Sequence, residues 1–241
     1  MLLLVGAFLI SLIPALGLFF WLRRLKEDEK YKSLCNKAFV KGLIAILPIT
    51  LVSATFSIIE SLLHLGAAGI VIKSLFHKFI VLVLAEELVK GWSLFHFAKK
   101  NEIKETTWLD IIVFMTIIGT AFGLAEDLLY AFGTNAMQML VRGITSGHSC
   151  YGFLMGYYIG KRYYTADKKW FIPALLVPWF FHGLYDFALT PELLEMNDLV
   201  AFVPVLIAIF ELVVLIYIFF FTHKAKTNEK YTKTIPFENI L

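Results

Sequence analysis

The sequence predicts an all-α protein, a polytopic transmembrane helix bundle, and three observations carry that prediction. Of the 241 residues 59% are hydrophobic and only 17% charged, with a mean hydropathy of +0.75, whereas charge makes up about a quarter of a soluble domain. Apolar runs near the roughly 20 residues that a helix needs to cross a bilayer recur along the whole chain. Lysine and arginine cluster in alternate connections between those runs, the distribution that the positive-inside rule describes.

In order, the expected spans are residues 2–22, 39–59, 75–97, 109–132, 137–160, 170–189 and 199–222, seven in number to within one. The first has no basic stretch ahead of it, and Arg23, Arg24 and Lys26 follow it. It reads as a retained helix rather than a cleaved leader, with its N-terminus outside. Of 22 lysines and arginines, seven lie in 23–41, three in 99–104, four in 161–169 and four after His223. Alternate counting puts these 18 on one side, the cytoplasm, and places the C-terminus inside. The opposite connections are short, and 191–198 carries Glu192, Glu195 and Asp198. With no internal repeat or linker, residues 1–223 read as a single transmembrane domain and 224–241 as a loosely ordered polar cytoplasmic tail. Cys35, in a charged loop, and Cys150, inside the fifth span, are not placed to pair. The expected setting is a cell membrane crossed several times; the lipid bilayer is a partner and nucleic acid is not.

Four spans hold ionisable residues, each costing roughly 2.5 to 3.5 kcal/mol on insertion scales if central and unpaired. The third carries Glu86, Glu87 and Lys90 in "LAEELVK"; at i to i+3 and i to i+4, one lysine can neutralise one carboxylate and leave the other available. The fourth carries Glu126 and Asp127, with Glu126 on the face of Gly119 and Gly123. On the fifth, His148 heads a row of Gly152, Gly156 and Gly160 that lets another helix come close. On the sixth, His182 and Asp186 are i and i+4, so Asp186 is expected to hydrogen-bond the imidazole, a turn beyond Pro178. Counting along the alternating helices puts this group in the outer half of the membrane.

The remaining polar residues have plainer readings. Lys90 is a counter-ion and Asp127 caps a connection. Arg142 snorkels from a helix end. His64, His77, His96 and His223 sit near interfaces, and Glu60 and Glu211 are half-solvated at span edges.

Glu86, Glu126, His148 and His182 form a set able to take a proton from water, donate to a leaving amine and stabilise an oxyanion, which is the chemistry of amide hydrolysis. The same four are acceptable ligands for a divalent metal such as zinc, and spacing does not separate a metal-free from a metal-assisted site. A proton-coupled transporter would use such groups too, but would show paired halves with interrupted helices. A haem cytochrome with His148 and His182 as axial ligands leaves the two adjacent glutamates unexplained.

E-E-x-x-K at Glu86, Glu87 and Lys90, F-x-x-x-E-[ND] at Phe122, Glu126 and Asp127, the isolated His148 in "SGHSCYGFLMG", and H-x-x-x-D at His182 and Asp186 occur in one order. In that order they resemble the PrsW family of intramembrane proteases, relatives of the CAAX-processing and bacteriocin-immunity membrane proteases. The resemblance covers about half of the chain, and it departs at Asp127, where the family pattern usually has Asn. It implies an endopeptidase of the bacterial cytoplasmic membrane that clips a membrane-anchored protein near its outer surface, typically an anti-sigma factor. By motif, Glu86 is the general base, interchangeable with Glu87, which Lys90 holds. Glu126 and His148 complete the water site, and His182, oriented by Asp186, is the acid or oxyanion donor. A prenyl-protein endopeptidase is the alternative within this class, and it would need a cytoplasmic opening.

Overall fold

The structure, a computed structural model, describes residues 2–61, 67–130, 136–190, 200 and 202–237. His64, the side chain of Glu60 and the acidic connection 191–198 lie outside the described residues. The helices are α1 (Leu2–Arg23), α2 (Glu29–Ser61), α3 (Ala67–Leu75), a π-helical stretch (Phe76–Val83), α4 (Leu84–Lys100), α5 (Trp108–Tyr130), α6 (Ala136–Thr145), α7 (Gly147–Thr165), α8 (Phe171–Ala188), α9 (Phe202–Ala225) and the short α10 (Glu229–Thr232). Two three-residue strands, β1 (Glu105–Thr107) and β2 (Thr234–Pro236), pair antiparallel with Thr106 opposite Ile235.

Among the described residues five helices are long and apolar enough to cross a membrane: Val5–Arg23, Glu29–Thr55, Trp108–Leu129, Lys168–Ala188 and Phe202–Ala225. The third and fifth expected spans are helical but interrupted. The third begins earlier, at Ala67, and passes through the π-helical stretch, and the fifth breaks at Ser146, which has φ 47°. Large apolar side chains such as Ile13, Leu47, Leu51, Ile172, Leu206 and Phe220 face outward. An apolar exterior that extensive suits lipid rather than water, and the protein is a multi-pass membrane protein.

In its most apolar window α5 is 83% buried, against 28% to 33% for the other four spanning helices, so it is the central post. Helix α7 lies along it at close range: a Cβ at Gly152 would sit 2.7 Å from the Met115 carbonyl oxygen and 3.3 Å from the Gly119 Cα. Lipid offers no hydrophobic drive for helices to associate, so backbone approach of this kind supplies the contact energy.

The four basic segments meet at one end of the bundle. Lys26 pairs with Asp110 at 2.7 Å, Lys37 donates to Asn101 at 3.0 Å, and the Lys230 ammonium lies over the Trp108 ring. Two expectations fail here. The segment holding Cys35 is not a loop: Asp28 caps α2 by accepting from the Lys30 and Tyr31 amides, and Tyr31, Cys35 and Ala38 are buried on one face of the lengthened helix. Nor is the tail loose as far as it is described, because Ile235 and Phe237 are buried and the Phe237 amide donates to the Lys104 carbonyl at 2.8 Å. A few apolar residues within a polar tail are enough to dock it.

Candidate active site

The ionisable side chains gather in the half of the bundle away from the basic end. The π-helical stretch does part of the positioning. Phe79 O accepts from the Leu84 amide, five residues on, and from Trp179 Nε1 of α8 at 2.7 Å. A Cβ at Gly183 would lie 2.6 Å from the Phe79 ring, so α8 is drawn against this stretch one residue past His182. Glycine next to His182 is thus what allows the approach.

Glu86, Glu87 and Lys90 are 1%, 0% and 0% exposed, so every charge on them must be answered within the protein. Lys90 donates to Glu87 Oε1 and, at 3.1 Å, to His148 Nδ1. An ammonium only donates, so Nδ1 is the acceptor and the other nitrogen of His148 carries its proton. His148 Nε2 then donates to Glu126 Oε2 at 2.6 Å. Arg142 closes the chain, its Nη2 2.7 Å from Glu126 Oε2 and its Nε 3.0 Å from Asp127 Oδ1.

His182 is held from α4. Its Nδ1 lies 2.9 Å from Glu87 Oε1, which as a carboxylate accepts, leaving the lone pair on Nε2. Nε2 faces Glu86 Oε2 at 3.7 Å, and that oxygen is buried with no hydrogen-bond partner. The expected hydrogen bond from His182 to Asp186 is absent: the two stand 4.0 Å apart, and Glu87 takes the orienting place. The facing helix reaches the ring where the neighbour one turn along does not. The imidazole is further packed by Tyr151, stacked at 4.8 Å and 21°, and by His148, edge-on at 4.8 Å and 84°.

The structure therefore brings together Glu86, Glu87, Lys90, Glu126, Asp127, His148 and His182, with Asp186 at the margin. It also brings in residues that the sequence reading passes over. Arg142 does not snorkel but pairs with Glu126 and Asp127, and Asp127 answers it rather than capping a connection. Glu211 is not half-solvated; it is 2% exposed on α9 and accepts from the Tyr151 hydroxyl. The run of small residues "GITSG" at 143–147 is the one signal that hints at the break turning Arg142 inward.

A donor set for a divalent ion is present. Glu86, His148 and His182 each offer an atom within 4.8 Å of the others, and an orphaned buried carboxylate oxygen is the kind of atom that a cation satisfies. Glu126, expected as a fourth ligand, stands outside this trio, its Oε2 engaged by His148 and Arg142. His148 enters the set by exchanging its bond to Lys90 or to Glu126. A cavity leads to the two imidazoles, bounded by Ser11 and Ala15 of α1, Arg142 of α6, Ser146 and Asp186; Glu86 is not among the residues that line it.

Comparisons with known proteins bear on the family of the chain. The family model described as PrsW family intramembrane metalloprotease matches residues 31–218, a stretch that contains every side chain of the cluster. Protease PrsW of Geobacillus kaustophilus is 26% identical over 179 residues, covering 73% of this chain and 75% of the relative. That of Clostridioides difficile is 28% identical over 196 residues, or 77% and 79%. That of Bacillus subtilis is 38% identical over 86 residues, 34% of this chain and 39% of the relative. No solved structure gives a significant match. With most of its length matched to one family, the chain belongs to the PrsW proteases and is an intramembrane protease.

Proposed function

We propose that the protein cuts a membrane-anchored protein at a peptide bond near the outer face of the membrane, and that Glu86, His148 and His182, supported by Glu126, form the site. The observation that carries this reading is the pairing of Glu86 Oε2, buried with no hydrogen-bond partner, with the open acceptor His182 Nε2 at 3.7 Å, in a buried cluster where Glu87 pairs with Lys90 and Glu126 with Arg142. Glu86 accepts a proton from the attacking water, and returns it to the amine nitrogen as the C–N bond breaks. Glu87, fixed by Lys90, holds the His182 imidazole so that the Nε2 lone pair is turned toward Glu86. Glu126 and Arg142 set the orientation of His148. A divalent ion, which the family description implies, fits the donors of Glu86, His148 and His182 and would supply Lewis-acid activation of water.

The outer-face assignment takes the basic end as cytoplasmic by the positive-inside rule, with the cluster in the opposite half. An anti-sigma factor with a single span is the substrate class that the family resemblance supports. The test is cleavage of such a single-span protein by purified variants. Glu86→Gln and His182→Ala are expected to lower the rate by at least about a hundredfold while remaining folded and inserted. Wild-type rates in both would overturn the assignment.

A further inference from the structure

A file of hydroxyls runs from the cavity wall into the α5–α7 interface, and its hydrogen bonds have a fixed direction. Thr120 Oγ1 lies 2.8 Å from the Thr116 carbonyl oxygen, which has no proton to give, so the single O–H of Thr120 points there. Ser149 Oγ, 2.8 Å from Thr120 Oγ1, must then be the donor in that contact. Ser146 Oγ, 2.6 Å from Ser149 Oγ, must in turn donate to Ser149. Thr120 and Ser149 are fully buried, whereas Ser146 is half-buried and lines the cavity that ends at His148 and His182. Its proton spent inward, Ser146 shows the cavity only lone pairs.

The backbone of Ser146 is occupied as well. Its amide donates to the Arg142 carbonyl at 3.1 Å, and its carbonyl accepts from Ser149 at 2.8 Å. Nor does its side chain cap α7, the usual task of a serine in that place. The position is held at φ 47° and ψ 49°, a left-handed conformation that costs a non-glycine residue energy.

We propose that Ser146 Oγ accepts a hydrogen bond from a backbone N–H of the substrate and so sets its register in the cavity. A segment unwound for cleavage inside a membrane carries N–H groups that have lost their helical partners, and in a medium without water each such group is costly. An acceptor-only hydroxyl two residues before His148 relieves one of them, next to the reacting centre. The inference rests on the proposed location of the active site.

The experiment uses the full-length protein in detergent and a synthetic single-span peptide that the wild type cleaves. Ser146→Gly keeps the left-handed backbone at no steric cost and removes the hydroxyl. Ser146→Asn tolerates that conformation and restores an acceptor. Loss of one hydrogen bond is expected to raise KM about fivefold to tenfold in Ser146→Gly, with kcat little changed and most of the loss recovered in Ser146→Asn. Peptides in which one backbone amide at a time, the scissile one excepted, is replaced by an ester supply the second arm. One position should cost the wild type a similar factor and cost Ser146→Gly nothing further. Wild-type KM in Ser146→Gly, or ester penalties equal in both proteins at every position, overturns the proposal. Glu86→Gln, run alongside, reports on the site reading separately: undiminished cleavage there overturns the site, while the ester comparison still decides on Ser146.

Discussion

The Tyr151 hydroxyl donates to the Glu211 carboxylate, tying α7 to α9 through a fully buried contact, while the other face of the same side chain packs on the His182 imidazole. Tyr151→Phe keeps the ring and strips the carboxylate of that donor. Leaving a buried polar group short of a partner costs about 1–3 kcal/mol, so reversible unfolding in mixed micelles should register a loss of that size. Adding Glu211→Leu should recover part of it, because two apolar groups leave nothing unsatisfied. A double variant less stable than Tyr151→Phe would mean that Glu211 is held mainly by other groups.

Glu87 and Asp186 exchange importance relative to the reading by sequence spacing. Removal of a carboxylate that orients a histidine typically costs about 10- to 100-fold, and Glu87→Gln should lower kcat by that factor. Asp186→Asn, whose carboxylate stands 4.0 Å from the ring nitrogen and so beyond hydrogen-bond reach, should stay within about threefold. The opposite order in a cleavage assay would return the orienting role to Asp186.

Gly152→Val tests the approach of α5 and α7. A branched side chain has no room where a Cβ alone would lie 2.7 Å from the Met115 carbonyl oxygen. Overpacking of this kind costs about 1–3 kcal/mol, and forcing the helices apart lengthens the Glu126–His148 contact. Lower thermal stability together with lower activity is the expected pair of outcomes. Wild-type values for both would show that the interface yields elsewhere.

The basic segments gathered at one end predict sidedness. A reporter active only in the cytoplasm should work when fused after Leu241, and one active only outside should not. The reverse pattern would move the cluster to the inner half of the membrane and the proposed cut with it.

The membrane class and the membership of the cluster are legible in the sequence because both depend on residue type alone. Ionisable groups inside apolar runs have few places to go, and the glycines in register with Glu126 and His148 mark the faces that meet. Partnership is less legible. Asp186 stands one turn from His182, and spacing along a single helix suggests a bond, yet Glu87 on another helix is nearer to the ring nitrogen. Arg142 looks peripheral until the chain breaks at Ser146, in a left-handed conformation that serine seldom adopts. Glu211 looks solvated because its partner is a tyrosine 60 residues away, which no periodicity links to it. The π-helical stretch leaves no mark in composition, being a matter of which carbonyl the next amide reaches.

The pairing of β1 with β2 also bears on biogenesis. Strand β1 belongs to the connection between α4, which carries Glu86 and Glu87, and α5, which carries Glu126, whereas β2 follows every helix of the bundle. Helices that enter the bilayer as they are synthesised can bring the cluster together while β1 still presents an open edge. That edge closes only once Thr234–Pro236 have been made, so a nascent chain halted before them would hold the assembled cluster with the α4–α5 connection still unfastened.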